Sequence, residues 1–240
     1  MLREKEISMN SNKTVLAYSS LEMWFHKHMI HFVAFLSLSG LPILSDKFQF
    51  IAYGIGYPIN FFTGDMNTEH ILASGISFLR VIHWASAFAL TGIMIPFVIS
   101  MFRKVLTLSI WPDRWGAVAI VDGVVEMKKN YIDLEHAEFG KMNTGQKASA
   151  WVIMLCMFII VVSGYMLVFR SGLTHNFISL ARGAHAISYI ILAVTLIIHI
   201  YFATHPANRA AYKAMFKTGE MDADYVKEHH PLWYRKLQKV

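Results

Sequence analysis

The chain has 240 residues, of which 55% are hydrophobic and 16% charged, with a formal net charge of +6 and a mean hydropathy of +0.41. Soluble domains are about a quarter charged, so this balance points to a membrane protein. The basic residues flank apolar runs and form no block suited to gripping nucleic acid, while a single cysteine, Cys156, excludes a disulfide or a cysteine-ligated iron–sulfur cluster built from this chain alone. The length suits one membrane domain, 1–240.

About 25 mostly polar residues precede the first apolar run, and no small-residue cleavage site follows it, so the run reads as a retained span rather than a signal peptide. Four runs have the ~20 apolar residues a spanning helix needs. They cover about 26–45, 81–102 (between Arg80 and Arg103), 148–169 (between Lys147 and Arg170) and 183–204. Pro96 is expected to kink the second. The stretch 48–62 is apolar but short, and Gly54, Gly56 and Pro58 interrupt it. It reads as an interfacial loop or re-entrant hairpin packed on the bundle. Residues 205–240 read as a cytoplasmic tail. The expected fold is all-α: an integral membrane four-helix bundle.

Lys and Arg counts orient the bundle. The segment before the first span, the loop 103–147 and the tail together hold 17, whereas the loops 46–80 and 170–182 hold four: Lys47, Arg80, Arg170 and Arg182. Both termini are therefore expected in the cytoplasm. The first span then runs outward, with His26, His28 and His31 at its inner end. The second runs inward, with His83 near its outer end. The fourth runs inward too, carrying His185 outside and His199 inside.

His185 and His199 stand fourteen residues apart in a run without Asp, Glu, Lys or Arg. Fourteen residues are nearly four helical turns, so both rings project from one face, about 21 Å apart along the axis. Imidazole is costly inside a membrane unless paired or ligating, and it is a common axial ligand of haem iron. A lone histidine in an apolar helix is ordinarily a satisfied polar core residue. Two at matched depths, each with a partner at the same depth on another helix, argue for ligation. The depths pair His83 with His185 on the outside, and one of His26, His28 and His31 with His199 on the inside. Iron with two imidazole ligands carries electrons and has no open position for chemistry. The third span has no histidine and serves as packing. A transporter's proton relay is the main rival, but such relays usually add an intramembrane carboxylate, and the four spans contain none.

Several motifs fit this pattern: Ser-Gly-Leu-Pro at 39–42, Leu-Arg-Val-Ile-His-Trp at 79–84, Lys-Met-Asn-Thr-Gly-Gln-Lys-Ala-Ser-Ala-Trp at 141–151, Lys-Thr-Gly-Glu at 217–220 and Glu-His-His-Pro-Leu-Trp-Tyr at 228–234. With them the chain, from about residue 22 to 238, resembles the cytochrome b (gamma) subunit of membrane-bound formate dehydrogenases. It is similar also to the wider di-haem cytochrome b family of nickel–iron hydrogenase and thiosulfate reductase complexes. The Asn-x-Gly-Gln element and the His-His-Pro-x-Trp-Tyr tail favour the formate dehydrogenase branch. The resemblance implies two haem b groups, an outer one on His83 and His185 and an inner one on His26 and His199, because His26 stands at the family distance from Gly40. It also implies a quinone (menaquinone or ubiquinone) on the cytoplasmic side beside Asn143, Gly145, Gln146 and His199. Asn143 also reads as a helix N-cap, and the two roles can coexist. The loop 46–78 is longer than in the shorter family members.

The remaining candidates have plainer readings. Arg80, Arg170 and Arg182 could pair with haem propionates or simply flank spans. Trp24, Trp84, Trp111, Trp115 and Trp151 read as interfacial anchors. His229 and His230 read as a surface or partner-docking pair, and the methionines as packing. The reading that results is a multi-pass subunit in the cytoplasmic membrane of a bacterium or archaeon. It takes electrons from an extracytoplasmic iron–sulfur subunit beside a molybdenum or tungsten catalytic subunit and passes them to quinone; a higher oligomer is what the family resemblance alone implies. The alternatives are the cytochrome b of a nickel–iron hydrogenase, a quinol-oxidising reductase subunit, and a haem-free anchor or transporter.

Overall fold

The computed structural model describes residues 14–102, 108–112, 116–133 and 138–238. In chain order the elements are β1 (Thr14–Leu16), α1 (Ser20–Leu44), α2 (Gln49–Thr63), α3 (Thr68–Phe102), α4 (Ala117–Lys128), α5 (Thr144–Val168), α6 (His175–Thr204), α7 (Arg209–Lys213), β2 (Glu220–Asp222), α8 (Ala223–His229) and α9 (Pro231–Leu237). The helices α1, α3, α5 and α6 are long and apolar enough to cross a membrane, and no more than 17% of the most apolar stretch of each is buried. Their apolar side chains point outward, as a lipid solvent requires.

Three of the four spanning helices begin well before their apolar runs. Ser19 and Glu22 form a reciprocal N-terminal box ahead of α1: the Ser19 N–H donates to the Glu22 carboxylate (2.7 Å) and the Glu22 N–H to the Ser19 hydroxyl (3.3 Å). Asn67 accepts from the Glu69 N–H at 2.9 Å and starts α3 thirteen residues ahead of its apolar run. The helix α6 starts at His175. Backbone hydrogen bonding continues past the apolar boundary because a cap, not the end of the hydrocarbon, stops a helix. The stretch expected as a loop or re-entrant hairpin is instead the continuous helix α2. Its glycine is used for close approach rather than for a turn. A Cβ on Gly56 would lie 1.9 Å from the Ile71 carbonyl oxygen, and one on Gly75 would lie 1.9 Å from that of Ala52. The helices α2 and α3 therefore cross backbone to backbone. The helix α3 runs unbroken through Pro96.

The chain divides into two compact units. One comprises residues 24–100 and 161–186. In it α1 and α3 are antiparallel: Phe25 stacks on Phe97 (3.7 Å between centroids, planes 3° apart) while Ser39 meets His83. Phe88 of α3 packs edge-on against Tyr165 of α5 at 5.5 Å. The Asn60 amide donates to the Gly56 carbonyl (3.0 Å) and to the Ser74 hydroxyl, tying α2 to α3 at their crossing.

The other unit, residues 1–23, 101–160 and 187–240, contains a small water-type core built partly from the segment read as a cytoplasmic tail. The strands β1 and β2 pair antiparallel, Val15 opposite Met221. Around them Val15, Ala17, Ala214, Met221, Val226, Trp233 and Leu237 are buried together. Gly219, at φ 75°, turns its carbonyl to both the Ala17 and Tyr18 N–H groups (2.8 and 2.9 Å), a left-handed conformation that suits glycine. The Lys141 ammonium lies over the rings of Tyr18 (4.9 Å) and Trp233 (5.5 Å) and donates to the Ala17 carbonyl. Burial, with the Glu22 carboxylate adding to it, pushes the Tyr18 hydroxyl pKa up.

Candidate functional site

His83 of α3 and His185 of α6 come together within the unit formed by 24–100 and 161–186. Their ring centroids are 6.3 Å apart and their planes cross at 68°. With metal–nitrogen bonds of about 2 Å and a ring centre about 1.2 Å behind its nitrogen, two imidazoles on opposite faces of one iron have centroids about 6 Å apart. The observed spacing fits one haem iron between the rings. Among the described residues no group of three or more His, Cys, Asp and Glu forms a metal cluster.

Each ring is held from behind by a serine–glycine pair on a neighbouring helix. The Ser39 hydroxyl on α1 lies 3.1 Å from His83 Nδ1, and the Ser163 hydroxyl on α5 lies 3.1 Å from His185 Nδ1. Ser39 gives its own proton to the Phe35 carbonyl at 2.6 Å. Its oxygen therefore accepts from the His83 Nδ1–H, and that tautomer carries its lone pair on Nε2. The glycines make the room. A Cβ at Gly40 would stand 3.0 Å from His83 Cε1, and one at Gly164 would stand 3.2 Å from His185 Cε1.

These four residues are not evident as a site from the sequence, although Ser39 and Gly40 stand in the Ser-Gly-Leu-Pro motif. The available signal is the same dipeptide repeated in mid-span, at 39–40 and 163–164. A glycine inside a helix costs about 1 kcal/mol relative to alanine, and a buried hydroxyl needs a partner, so the repeat asks for a packing reason.

The three histidines of α1 behave differently. His28 and His31 turn Nδ1 to carbonyls of their own helix, Trp24 (2.7 Å) and Lys27 (2.8 Å), on exposed ground. His26 is half-buried in the unit that holds His83 and His185. His199, fourteen residues beyond His185 on α6, is half-buried in the other unit.

Asn143 and Gln146 open α5 as a reciprocal capping box. The Asn143 N–H donates to Gln146 Oε1 at 2.9 Å and the Gln146 N–H to Asn143 Oδ1 at 2.8 Å. Both amide oxygens are engaged with backbone, and the N-cap role expected of Asn143 is its observed one. Gly145 lies against Met127 of α4, whose methyl would be 3.1 Å from a Cβ there.

Among the plainer candidates, Arg80, Arg170 and Arg182 are all exposed. Trp24, Trp84 and Trp151 keep 41–46% of their surface exposed, and Trp111 packs against Trp151 at 5.1 Å. Trp115 lies outside the described residues. His229 stacks on Tyr225 (4.3 Å) while His230 donates Nδ1–H to the Gly140 carbonyl (2.9 Å). The pair is thus split between two partners, and His230 pins the segment that leads to Asn143. Burial is the main cause that lowers the His230 pKa, with His229 adding to it and the Gly140 carbonyl opposing.

Comparison with known proteins adds an independent finding. The family described as prokaryotic cytochrome b561 matches residues 17–218. The cytochrome b556(Fdn) subunit of the nitrate-inducible formate dehydrogenase of Escherichia coli (strain K12) is 31% identical over 135 residues, which cover 54% of this chain and 58% of that protein. The formate dehydrogenase cytochrome b556(fdo) subunit of the same strain is 27% identical over 117 residues, covering 48% and 54%. A formate dehydrogenase cytochrome b556 subunit of Haemophilus influenzae is 31% identical over 129 residues, covering 51% and 49%. The chain spans about half the length of the curated relatives it matches.

Proposed function

The chain belongs to the prokaryotic cytochrome b561 family, a multi-pass membrane cytochrome b, and from that premise we propose that it is the di-haem subunit of a formate dehydrogenase complex. In this reading it takes electrons from an iron–sulfur subunit outside the cytoplasmic membrane and delivers them to quinone at the cytoplasmic face. Formate is oxidised in a separate molybdenum or tungsten subunit. The observation that carries the reading is the opposed pair His83 and His185, 6.3 Å apart and each backed by a serine hydroxyl. The formate partner is supported by the names of the three relatives.

Held by His83 and His185, haem b would supply a one-electron carrier at this site. The chain's own residues do the rest. His83 and His185 offer Nε2 from two helices, and their serines fix the ring planes. His26 and His199 hold a second haem in this proposal, supported by the family resemblance and by the order of depths that Lys and Arg counts give. Asn143, Gly145, Gln146 and His199 form the quinone end. This end rests on the family resemblance; the capping box, which turns both amide oxygens to backbone, holds Asn143 and Gln146 side by side at the start of α5.

A pyridine haemochrome assay on the purified membrane protein tests this proposal. Two haem b per polypeptide is the expected result. One haem overturns one of the ligand pairs, and none overturns the cytochrome reading. Formate added to the purified complex should reduce these haems; reduction by hydrogen instead would transfer the chain to a hydrogenase.

A further inference from the structure

We propose that Ser39 and Ser163 are positioning residues that set the electron-donor strength and the crossed planes of His83 and His185; this rests on the reading of those histidines as an axial pair. The warrant is a repeated geometry. Two helices with no sequence relation, α1 and α5, each bring a buried serine (1% and 3% exposed) followed by glycine to the back of one ring. The hydroxyl stands 3.1 Å from Nδ1 in both cases, and the glycine's absent Cβ would meet Cε1 in both cases. A polar partner at the far nitrogen fixes tautomer and ring orientation and raises ligand basicity.

The direction of the effect follows from which atom donates. The Ser39 proton is committed to the Phe35 carbonyl, so the hydroxyl oxygen pulls on the Nδ1–H and leaves more electron density at Nε2. A richer ligand stabilises the oxidised iron and lowers the reduction potential. Hydrogen bonding around the ligands is one of the few levers a protein has on haem potential. The second effect is angular. Each ring has a serine hydroxyl 3.1 Å from its Nδ1 and a glycine that leaves room where a Cβ would crowd Cε1, so the serine orients the ring, and the planes cross at 68°.

The test uses the full chain in its complex, with Ser39→Ala and Ser163→Ala made singly and together. The readouts are haem content, midpoint potentials by spectroelectrochemistry, and the low-spin EPR signal, which depends on the angle between the axial ring planes. The expected result is unchanged haem content, an upward shift in the potential of one haem only for Ser39→Ala, a further change in that same potential in the double variant, and a displaced EPR signal for that haem in each. Serine-to-threonine variants, which keep the hydroxyl, should return both properties toward wild type. Unchanged potentials and EPR signals in both alanine variants overturn the proposal. If alanine empties the site, threonine decides: a refilled site with the original signal supports the hydroxyl's role, and an empty one overturns it. A wild-type protein without haem at His83 and His185 defeats the ligand assignment itself, a failure visible before any serine is changed.

Discussion

The unit around His83 and His185 and the unit around the β1–β2 pair are built on opposite solvents. In the first, Phe35, Val81 and Leu180 are more than half exposed (57%, 61% and 66%), whereas Ser39, Asn60 and Ser163 are inside. In the second, Val226 and Trp233 are inside, and Lys227, Glu228 and Lys236 face outward. Where the surroundings are hydrocarbon, apolar burial discriminates little, because lipid tails are as apolar as leucine. What distinguishes the interior there is where the polar groups are, and each is matched to a ring or a backbone crossing. In the water-type core the apolar residues carry the stability and the polar ones mostly do not.

The largest test of that contrast is His185→Ala. It should remove one haem per polypeptide in a pyridine haemochrome assay while leaving the β1–β2 core as resistant to protease as in wild type. Loss of both properties together would break the distinction. The converse change is Trp233→Ala, which empties the largest aromatic of the water-type core and removes one of the two rings beneath Lys141. Truncations of this kind cost about 3–5 kcal/mol. Native-state proteolysis should show the 211–237 region opening, with the His83–His185 site still filled. Next is Gly56→Ala, which sets a methyl against the Ile71 carbonyl oxygen. Overpacking of this type costs about 1–3 kcal/mol, and cysteine cross-linking between α2 and α3 should report the altered crossing.

A smaller effect is expected from Asp222→Ala. The Asp222 carboxylate accepts from the Asp224 and Tyr225 N–H groups (2.9 and 3.1 Å) and starts α8. Losing such a cap costs about 1 kcal/mol, to be read from the same proteolysis. The smallest is a pH dependence of this core through His230, whose folded pKa is lowered, chiefly by burial. The unfolded chain binds this proton more readily, so stability is full above the ordinary value of 6.5 and is lost as pH falls through it toward the lowered folded value. His230→Gln should flatten that dependence in a proteolysis series from pH 8 to about 5.

The spans are legible in the sequence because uncharged runs of about 20 residues are characteristic of a bilayer crossing and rare elsewhere. Their ends are not, because Ser19 and Asn67 cap helices that continue beyond the apolar runs. The helix α2 is hidden by its own punctuation: Gly54, Gly56 and Pro58 look like a break until Gly75 is seen to need a partner without a side chain. The pairing of His83 with His185 can be read from depth, since helix geometry converts sequence spacing into height. Ser39 and Ser163 cannot, because a serine in a span says nothing until the ring behind it is known. The β1–β2 pair is the least legible, because its strands are three residues each and Thr14 pairs with Asp222 across nearly the whole chain.

That last pairing has a consequence for how the protein is made. Among the described residues the strand β1 precedes the four spanning helices α1, α3, α5 and α6 and β2 follows them, so the ladder cannot close until these four crossings have been made. Two strands can meet only on one side of a bilayer, and therefore only after an even number of crossings. A chain that skips or inverts a single span strands them on opposite sides, leaving Val15 and Met221 unburied and the 211–237 region open to quality-control proteases. The short ladder thus ties the two ends of the four-helix segment to one side of the bilayer.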